Sequence, residues 1–341
     1  VSISLAESKT ACTRILQAGQ VPMLKSSPGM GKTSMLKEIA KTFNLLYIDC
    51  ALSSKDPVDL NGFPITDREK ASYLPFDMFP IESDPIPKGY KGWLLSLDEL
   101  SSVPPAVQVA AYRIALDKMV GDKKLHPACA VACAGNLETD NAVVEEMSTA
   151  LQSRLVHIPI HSDSTEWLKW AVSANIDTRI LGYIAWQPHK LNDFNPDHTD
   201  HTFACERTWE FVSKMIAKRP TLDSIDLEII KGTVGAGTGL EFYSYLKAYA
   251  DLPTIDQVIA APNATAIPVE PSTCFAMTGL LMPTLRKTTD LKEIQAIVTY
   301  TKRLPIDFQV LAFKTVVKDN PTLLNNQDIR AWSFDLSNHL I

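Results

Sequence analysis

Nine consecutive residues, Ser26-Ser27-Pro28-Gly29-Met30-Gly31-Lys32-Thr33-Ser34, gather two glycines, one lysine and several hydroxyls in a single turn's length of chain. They match the phosphate-loop pattern GxxxxGK[ST] everywhere but the first position, where Ser26 stands for glycine. Small residues let the backbone curl until successive N–H groups face one anion, and a helix starting at Gly31 or Lys32 would add the positive end of its dipole. The pattern therefore predicts a nucleotide cradle built from Pro28, Gly29, Met30, Gly31, Lys32, Thr33 and Ser34. Lys32 would neutralise β- and γ-phosphate oxygens, and Thr33 would ligate Mg²⁺. Glycines and a lysine also meet in ordinary surface turns, so the flanking elements have to decide between the two.

Three further positions could complete such a site. The apolar run Trp93-Leu94-Leu95-Ser96-Leu97 ends in Asp98-Glu99. At the carboxyl edge of a sheet, Asp98 would hold the metal, and Glu99 would orient and deprotonate an attacking water. By itself, an acidic pair after a strand also serves as a helix N-cap. The run Ala130-Val131-Ala132-Cys133-Ala134-Gly135 ends in Asn136, a neutral donor and acceptor suited to a γ-phosphate or to the water, or simply to a turn. Arg154 precedes the apolar run 156–160, where it could stabilise transition-state charge in a neighbouring subunit or merely cap the surface.

Such residues need a scaffold, and the first 160 or so residues alternate short apolar runs with helix-like segments, the order of a parallel sheet covered by helices. Strands are predicted at 21–25, 45–50, 93–97, 130–134 and 156–160. Leu36, Ile39, Ala40 and Phe43 fall on one helical face directly after Lys32. The proline-rich stretch 56–92 reads as an excursion from the core. Beyond Ser164 helical patterns dominate, at 166–174, 208–216 and 241–248. After a proline-interrupted break at 252–271 they continue near Leu280 and at 294–304, 308–317 and 326–340. The expected organisation is an α/β nucleotide-binding core over 1–162, a helical lid over 163–250 and a helical C-terminal extension over 251–341.

The bulk composition fits this picture. Of 341 residues, 45% are apolar and 21% charged, and the net charge of −6 argues against a globally basic, nucleic-acid-holding surface while leaving a local basic patch open. No run reaches 18 apolar residues and the opening segment lacks signal-peptide features, so a cytoplasmic setting with no membrane span is expected. Six scattered cysteines without CxxC pairs read as reduced thiols, with Cys129 and Cys133 filling a buried strand. Gly235-Ala236-Gly237-Thr238-Gly239 lacks the flanking strand of a dinucleotide loop and reads as a turn between helices. His198, His201 and Cys205 have ligand-like spacing but no second Cys pair, which favours a polar connection over a zinc site.

Taken in order, the loop, the Asp-Glu strand, the Asn-ended strand and the Arg-before-strand resemble an AAA+ ATPase. More narrowly, the chain resembles the MoxR-type branch carried by bacteria and their phages. The stretches that carry the likeness are Asp56-Pro57-Val58-Asp59-Leu60-Asn61-Gly62-Phe63-Pro64, Pro104-Pro105-Ala106-Val107-Gln108, Ala134-Gly135-Asn136 with Thr139-Asp140, and residues 150–155. It spans 20–160 and continues, more faintly, through Cys205-Glu206-Arg207-Thr208-Trp209. This resemblance implies Lys32 and Thr33 as the Walker A pair, Asp98 and Glu99 as the Walker B pair, Asn136 as sensor 1, Arg154 as an arginine finger acting in trans and Arg207 as sensor 2. It further implies ATP and Mg²⁺, a homo-oligomer in the form of a hexameric ring with the excursion on one ring face, and a partner bearing a von Willebrand factor A domain. The activity it implies is chaperone-like remodelling of a protein; a motor or loader acting on nucleic acid is the alternative, against which the acidic balance weighs.

Overall fold

The computed structural model of the chain describes residues 2–67, 70–137, 152–197, 199–219 and 221–337. The chain packs into two compact units. One is made of Val1–Glu166 with Phe194–Thr199 and Cys205–Arg207, the other of Trp167–Asp193, Asp200–Ala204 and Thr208–Ile341.

The first unit opens with α1 (Leu5–Gln17), β1 (Pro22–Lys25), α2 (Lys32–Phe43) and β2 (Leu46–Ala51). The excursion follows as α3 (Pro57–Asn61) and an antiparallel hairpin, β3 (Phe63–Asp67) with β4 (Lys70–Leu74). Then come β5 (Trp93–Asp98), α4 (Pro105–Tyr112), the short hairpin β6 (Met119–Val120) and β7 (Lys123–Lys124), β8 (Cys129–Gly135) and β9 (Val156–Pro159). Five strands form one parallel sheet in the order β2-β5-β8-β1-β9. All five carboxyl ends therefore share one edge, and β8 separates β1 from β5.

Alternation along the strands covers both faces of this sheet. Leu24, Leu94, Ala132, Ala134 and Ile158 pack with Cys12 of α1 and with Met35, Leu36, Ile39 and Ala40 of α2. Met23, Leu95, Leu97, Val131 and Cys133 pack on the other side with Val107, Ala110 and Ala111 of α4. The result is a P-loop NTPase-like α/β fold with helices on both faces. Emptying such a position, as in Leu94→Ala, costs about 2–5 kcal/mol, because Leu94 is fully buried. The five strands lie where the sequence pattern places them, to within a residue or two.

The remaining elements are helical: α5 (Ser164–Ser173), α6 (Thr178–Trp186), α7 (Glu206–Ile216), α8 (Ser224–Val234), α9 (Ala236–Ala250), α10 (Ile255–Ala260), α11 (Pro271–Lys287), α12 (Leu291–Thr301), α13 (Ile306–Asp319) and α14 (Gln327–Asp335). The second unit holds two apolar clusters. In one, Tyr183, Trp209 and Phe242 lie with ring centroids 5.0–5.5 Å apart. The other is built from α10 to α14 around Tyr300, Phe313 and Trp332. Gly235, at φ +90°, makes the turn between α8 and α9. The expected 326–340 helix ends at Asp335, and residues 338–340 lie outside the described residues. Among the described residues no helix is long and apolar enough to cross a membrane.

Candidate functional site

The turn between β1 and α2 needs left-handed backbone at two places, Gly29 at φ +83° and Gly31 at φ +86°. There glycine avoids the Cβ clash that other residues meet. At Gly29 space is short as well, since a Cβ would stand 2.4 Å from Cys205 Sγ. Gly31 is the N-cap of α2, and no side chain caps that end. α1, by contrast, is closed by a capping box in which the Glu7 amide donates to the Ser4 hydroxyl. The start of α2 thus turns its amides and the positive end of its dipole toward whatever occupies the turn, an arrangement suited to a phosphate.

Lys32 is only 9% exposed, and its ammonium folds back across this turn. Nζ donates to Ser26 O and Ser26 Oγ at 2.9 Å each, and to Ser27 O at 3.4 Å. Ser26, the one departure from the phosphate-loop pattern, is fully buried and supplies two of these acceptors. The sequence reading asked of this position only that it admit a turn; the role of its hydroxyl was missed.

The acids arrive from β5. Thr33 Oγ1 donates to Asp98 Oδ2 at 2.9 Å across 65 residues of sequence. Asp98 Oδ1 accepts from the Glu99 amide at 2.9 Å, and Glu99 itself sits in the left-handed region at φ +62°. That conformation costs a non-glycine residue about 1–3 kcal/mol and is found preferentially at functional sites. Thr33 and Asp98 are hard oxygen donors brought together on one side of the loop. This donor set fits Mg²⁺, which takes one or two protein oxygens and fills its remaining positions with phosphate oxygens and water.

Because β8 lies between β1 and β5, its carboxyl end emerges between the loop and the acids. Asn136 therefore follows Gly135 at the same edge, and the Ser26 amide donates to Gly135 O at 3.4 Å. Ser101, two residues beyond Glu99, bonds to both backbone groups of Asn136. Nothing in the sequence pattern singled it out beyond a hydroxyl shortly after an acidic pair.

Two arginines stand apart in different ways. Arg207 is exposed, but its amide donates to Gly29 O at 3.2 Å, so its backbone touches the loop. The neighbouring Glu206 accepts from Ser162 Oγ at 2.5 Å. Arg154 is exposed two residues before β9, which places it at the amino-terminal edge of the sheet, opposite the loop. The structure does not bring Arg154 to the other site residues of its own chain. Thr139, Asp140, Ala150, Leu151 and His198, named from the sequence, lie outside the described residues.

No family model matches the sequence, and no curated protein matches it either. Among solved structures the chain is similar to a candidate ATPase from Cytophaga hutchinsonii, at 14% identity and a TM-score of 0.37, with 92% of this chain and 81% of that one covered. It is also similar to the replication initiator DnaA bound to AMPPCP and single-stranded DNA, at 15% identity and a TM-score of 0.37, with 98% and 93% covered.

Proposed function

We propose that this chain is an ATPase of the AAA+ type, and within it of the MoxR-like branch, using hydrolysis to remodel a protein partner. The observation that carries the ATPase reading is the meeting of Thr33 and Asp98 at 2.9 Å beside an uncapped helix start. Besides bonding each other, a loop hydroxyl and a carboxylate from a distant strand make the kind of oxygen pair that a divalent cation shares with phosphate.

In this reading the amides from Gly29 to Ser34 hold the β-phosphate and Lys32 moves its ammonium from Ser26 onto the β/γ oxygens. Thr33 and Asp98 hold Mg²⁺, which supplies charge neutralisation on the phosphates. Glu99 takes the proton of the attacking water, and Asn136 orients that water or the γ-phosphate. Arg207, whose amide donates to Gly29 O at the start of α7, serves the same nucleotide as sensor 2. Residues 163–250 act as the lid and 251–341 as the extension.

Arg154 lies on the sheet edge away from its own loop, which supports a role in a neighbour's site and hence a homo-oligomer; the hexameric ring comes from the sequence resemblance. The β3–β4 hairpin exposes Phe63 at 60% and Leu74 at 57%, a surface that suits contact with protein better than with a phosphate backbone. The sequence resemblance adds a von Willebrand factor A domain partner.

The test is phosphate release from ATP with Mg²⁺ by the wild-type chain and by Lys32→Ala. Turnover that needs Lys32 supports the reading. A wild-type chain that binds no adenine nucleotide sinks it.

A further inference from the structure

We infer that Ser101 is a positioning residue that ties the Asp98–Glu99 turn to the Asn136 turn, so that the acid and the amide meet the reacting group as one rigid pair. The inference rests on the ATPase reading of the site.

The β5–β8 ladder ends at the pair Leu97 and Cys133, one residue short of Asp98 and three short of Asn136. Beyond that point the sheet no longer fixes the two turns against each other. Ser101 takes over: its Oγ accepts from the Asn136 amide at 3.0 Å and donates to the Asn136 carbonyl at 3.2 Å. One hydroxyl thus satisfies both backbone groups of a residue 35 positions away.

The hydroxyl is itself firmly placed. Ser101 is 2% exposed and sits in a short 3-10 turn, Leu100–Ser102, whose Ser102 amide donates to Glu99 O at 2.9 Å. Leu100 beside it is fully buried in the sheet's core. The acid is therefore two bonded residues from the clasp. On the other side, Gly135 leaves the room that the clasp occupies. A Cβ at Gly135 would stand 2.4 Å from Ser101 Oγ, 3.1 Å from Ser101 Cβ and 2.9 Å from Met23 Cε. Close approach, rather than an unusual backbone angle, accounts for the glycine here.

Catalytic groups displaced by an ångström lose on the order of 100-fold in rate while ground-state binding changes little. Losing the clasp should therefore lower kcat and spare nucleotide affinity. The experiment compares wild type with Ser101→Ala, Asn136→Ala and the double variant, reading kcat for ATP, affinity for a fluorescent ATP analogue and thermal unfolding. The expected result is a fall in kcat on the order of 10-fold or more for Ser101→Ala, with affinity held within about 3-fold. In the Asn136→Ala background the same change should add little, since Ser101 acts through Asn136. Gly135→Ala, which keeps the hydroxyl but crowds it, should reproduce the kcat loss.

Full kcat in Ser101→Ala, an effect confined to melting temperature or affinity, or a multiplicative loss in the double variant overturns the inference and leaves the ATPase reading standing. A wild-type chain that binds no nucleotide overturns both.

Discussion

Thr33 on α2 and Asp98 at the end of β5 are joined by a 2.9 Å hydrogen bond although their strands are not neighbours, because β8 lies between β1 and β5. The sheet order makes a gap one strand wide, and these side chains close it. Asp98→Asn keeps an acceptor for Thr33 and removes the charge a divalent cation needs. It is expected to lower Mg²⁺-dependent hydrolysis by about 100-fold or more, while binding of a fluorescent ATP analogue in EDTA stays near wild type. An unchanged response of turnover to Mg²⁺ in the variant would remove Asp98 from the metal.

Lys32 gives a separable effect. Its ammonium donates to Ser26 and Ser27, and a charge-assisted bond to phosphate is worth about 1.5–3 kcal/mol. Lys32→Ala should therefore weaken ATP binding by about 10- to 100-fold, measured by titration calorimetry. Equal affinity in both proteins would place the phosphates elsewhere.

Glu99 carries a different signature, since it contacts water rather than phosphate in this scheme. Glu99→Gln keeps shape and hydrogen bonding but cannot take a proton. Turnover should fall by about 10²- to 10⁴-fold with ATP affinity retained, giving a trap that holds oligomer and client together for pull-down. A variant that still turns over at the wild-type rate would assign the base to another group.

How much of this was legible in the sequence differs by element. The five sheet strands and α2 were readable because apolar runs and the 3.6-residue face of Leu36, Ile39 and Ala40 point to single answers. α1 went unread even though Ser4 and Glu7 form a capping box and Leu5, Cys12, Ile15 and Leu16 lie on the face packed against the sheet, because the polar residues 7–10 and 13–14 break up its apolar run. The β3–β4 hairpin was hidden among prolines, and its large side chains face outward, so alternation carried no burial signal. Strand order is a tertiary choice: nothing local says that β8 inserts between β1 and β5, and that insertion is what sets Asn136 and Ser101 together. Ser26 illustrates a subtler limit, since a pattern match scores it as a mismatch while the fold uses its hydroxyl to hold Lys32.

The thiols supply a prediction about pH. Burial pushes Cys133 and Cys12 up to about 12 and Cys129 and Cys50 up to about 11, from an ordinary value of 9.0. Above pH 9 the unfolded chain loses these protons and the folded chain keeps them, so the folded state binds more protons and stability falls as pH rises. Between pH 9 and 11 the melting temperature should drop progressively, and replacing Cys133 with Ala should flatten part of that slope. At pH 8 the native protein should react with iodoacetamide far more slowly than the unfolded chain. Rapid labelling of Cys12 or Cys133 without unfolding, located by mass spectrometry, would contradict their burial.

Arg154 tests the assembly. The four residues of β9 rise about 3.3 Å each, so the strand alone sets Arg154 about 13 Å or more from the carboxyl edge where Lys32 and Asp98 lie, and on the opposite rim. If this arginine reaches a γ-phosphate, that phosphate belongs to a neighbour, and three consequences follow. Turnover per chain should rise with protein concentration until oligomers saturate. Arg154→Ala should bind ATP normally yet lose about 10³-fold or more in kcat. Most tellingly, mixing Arg154→Ala with Glu99→Gln should restore activity above either variant alone. The first keeps an intact Glu99 in its own site and borrows Arg154 from the second, whereas neither pure variant can assemble both groups around one nucleotide. Mixtures that show no gain at concentrations where the wild type is fully oligomeric would confine Arg154 to the surface and remove the reason to require a neighbour for hydrolysis.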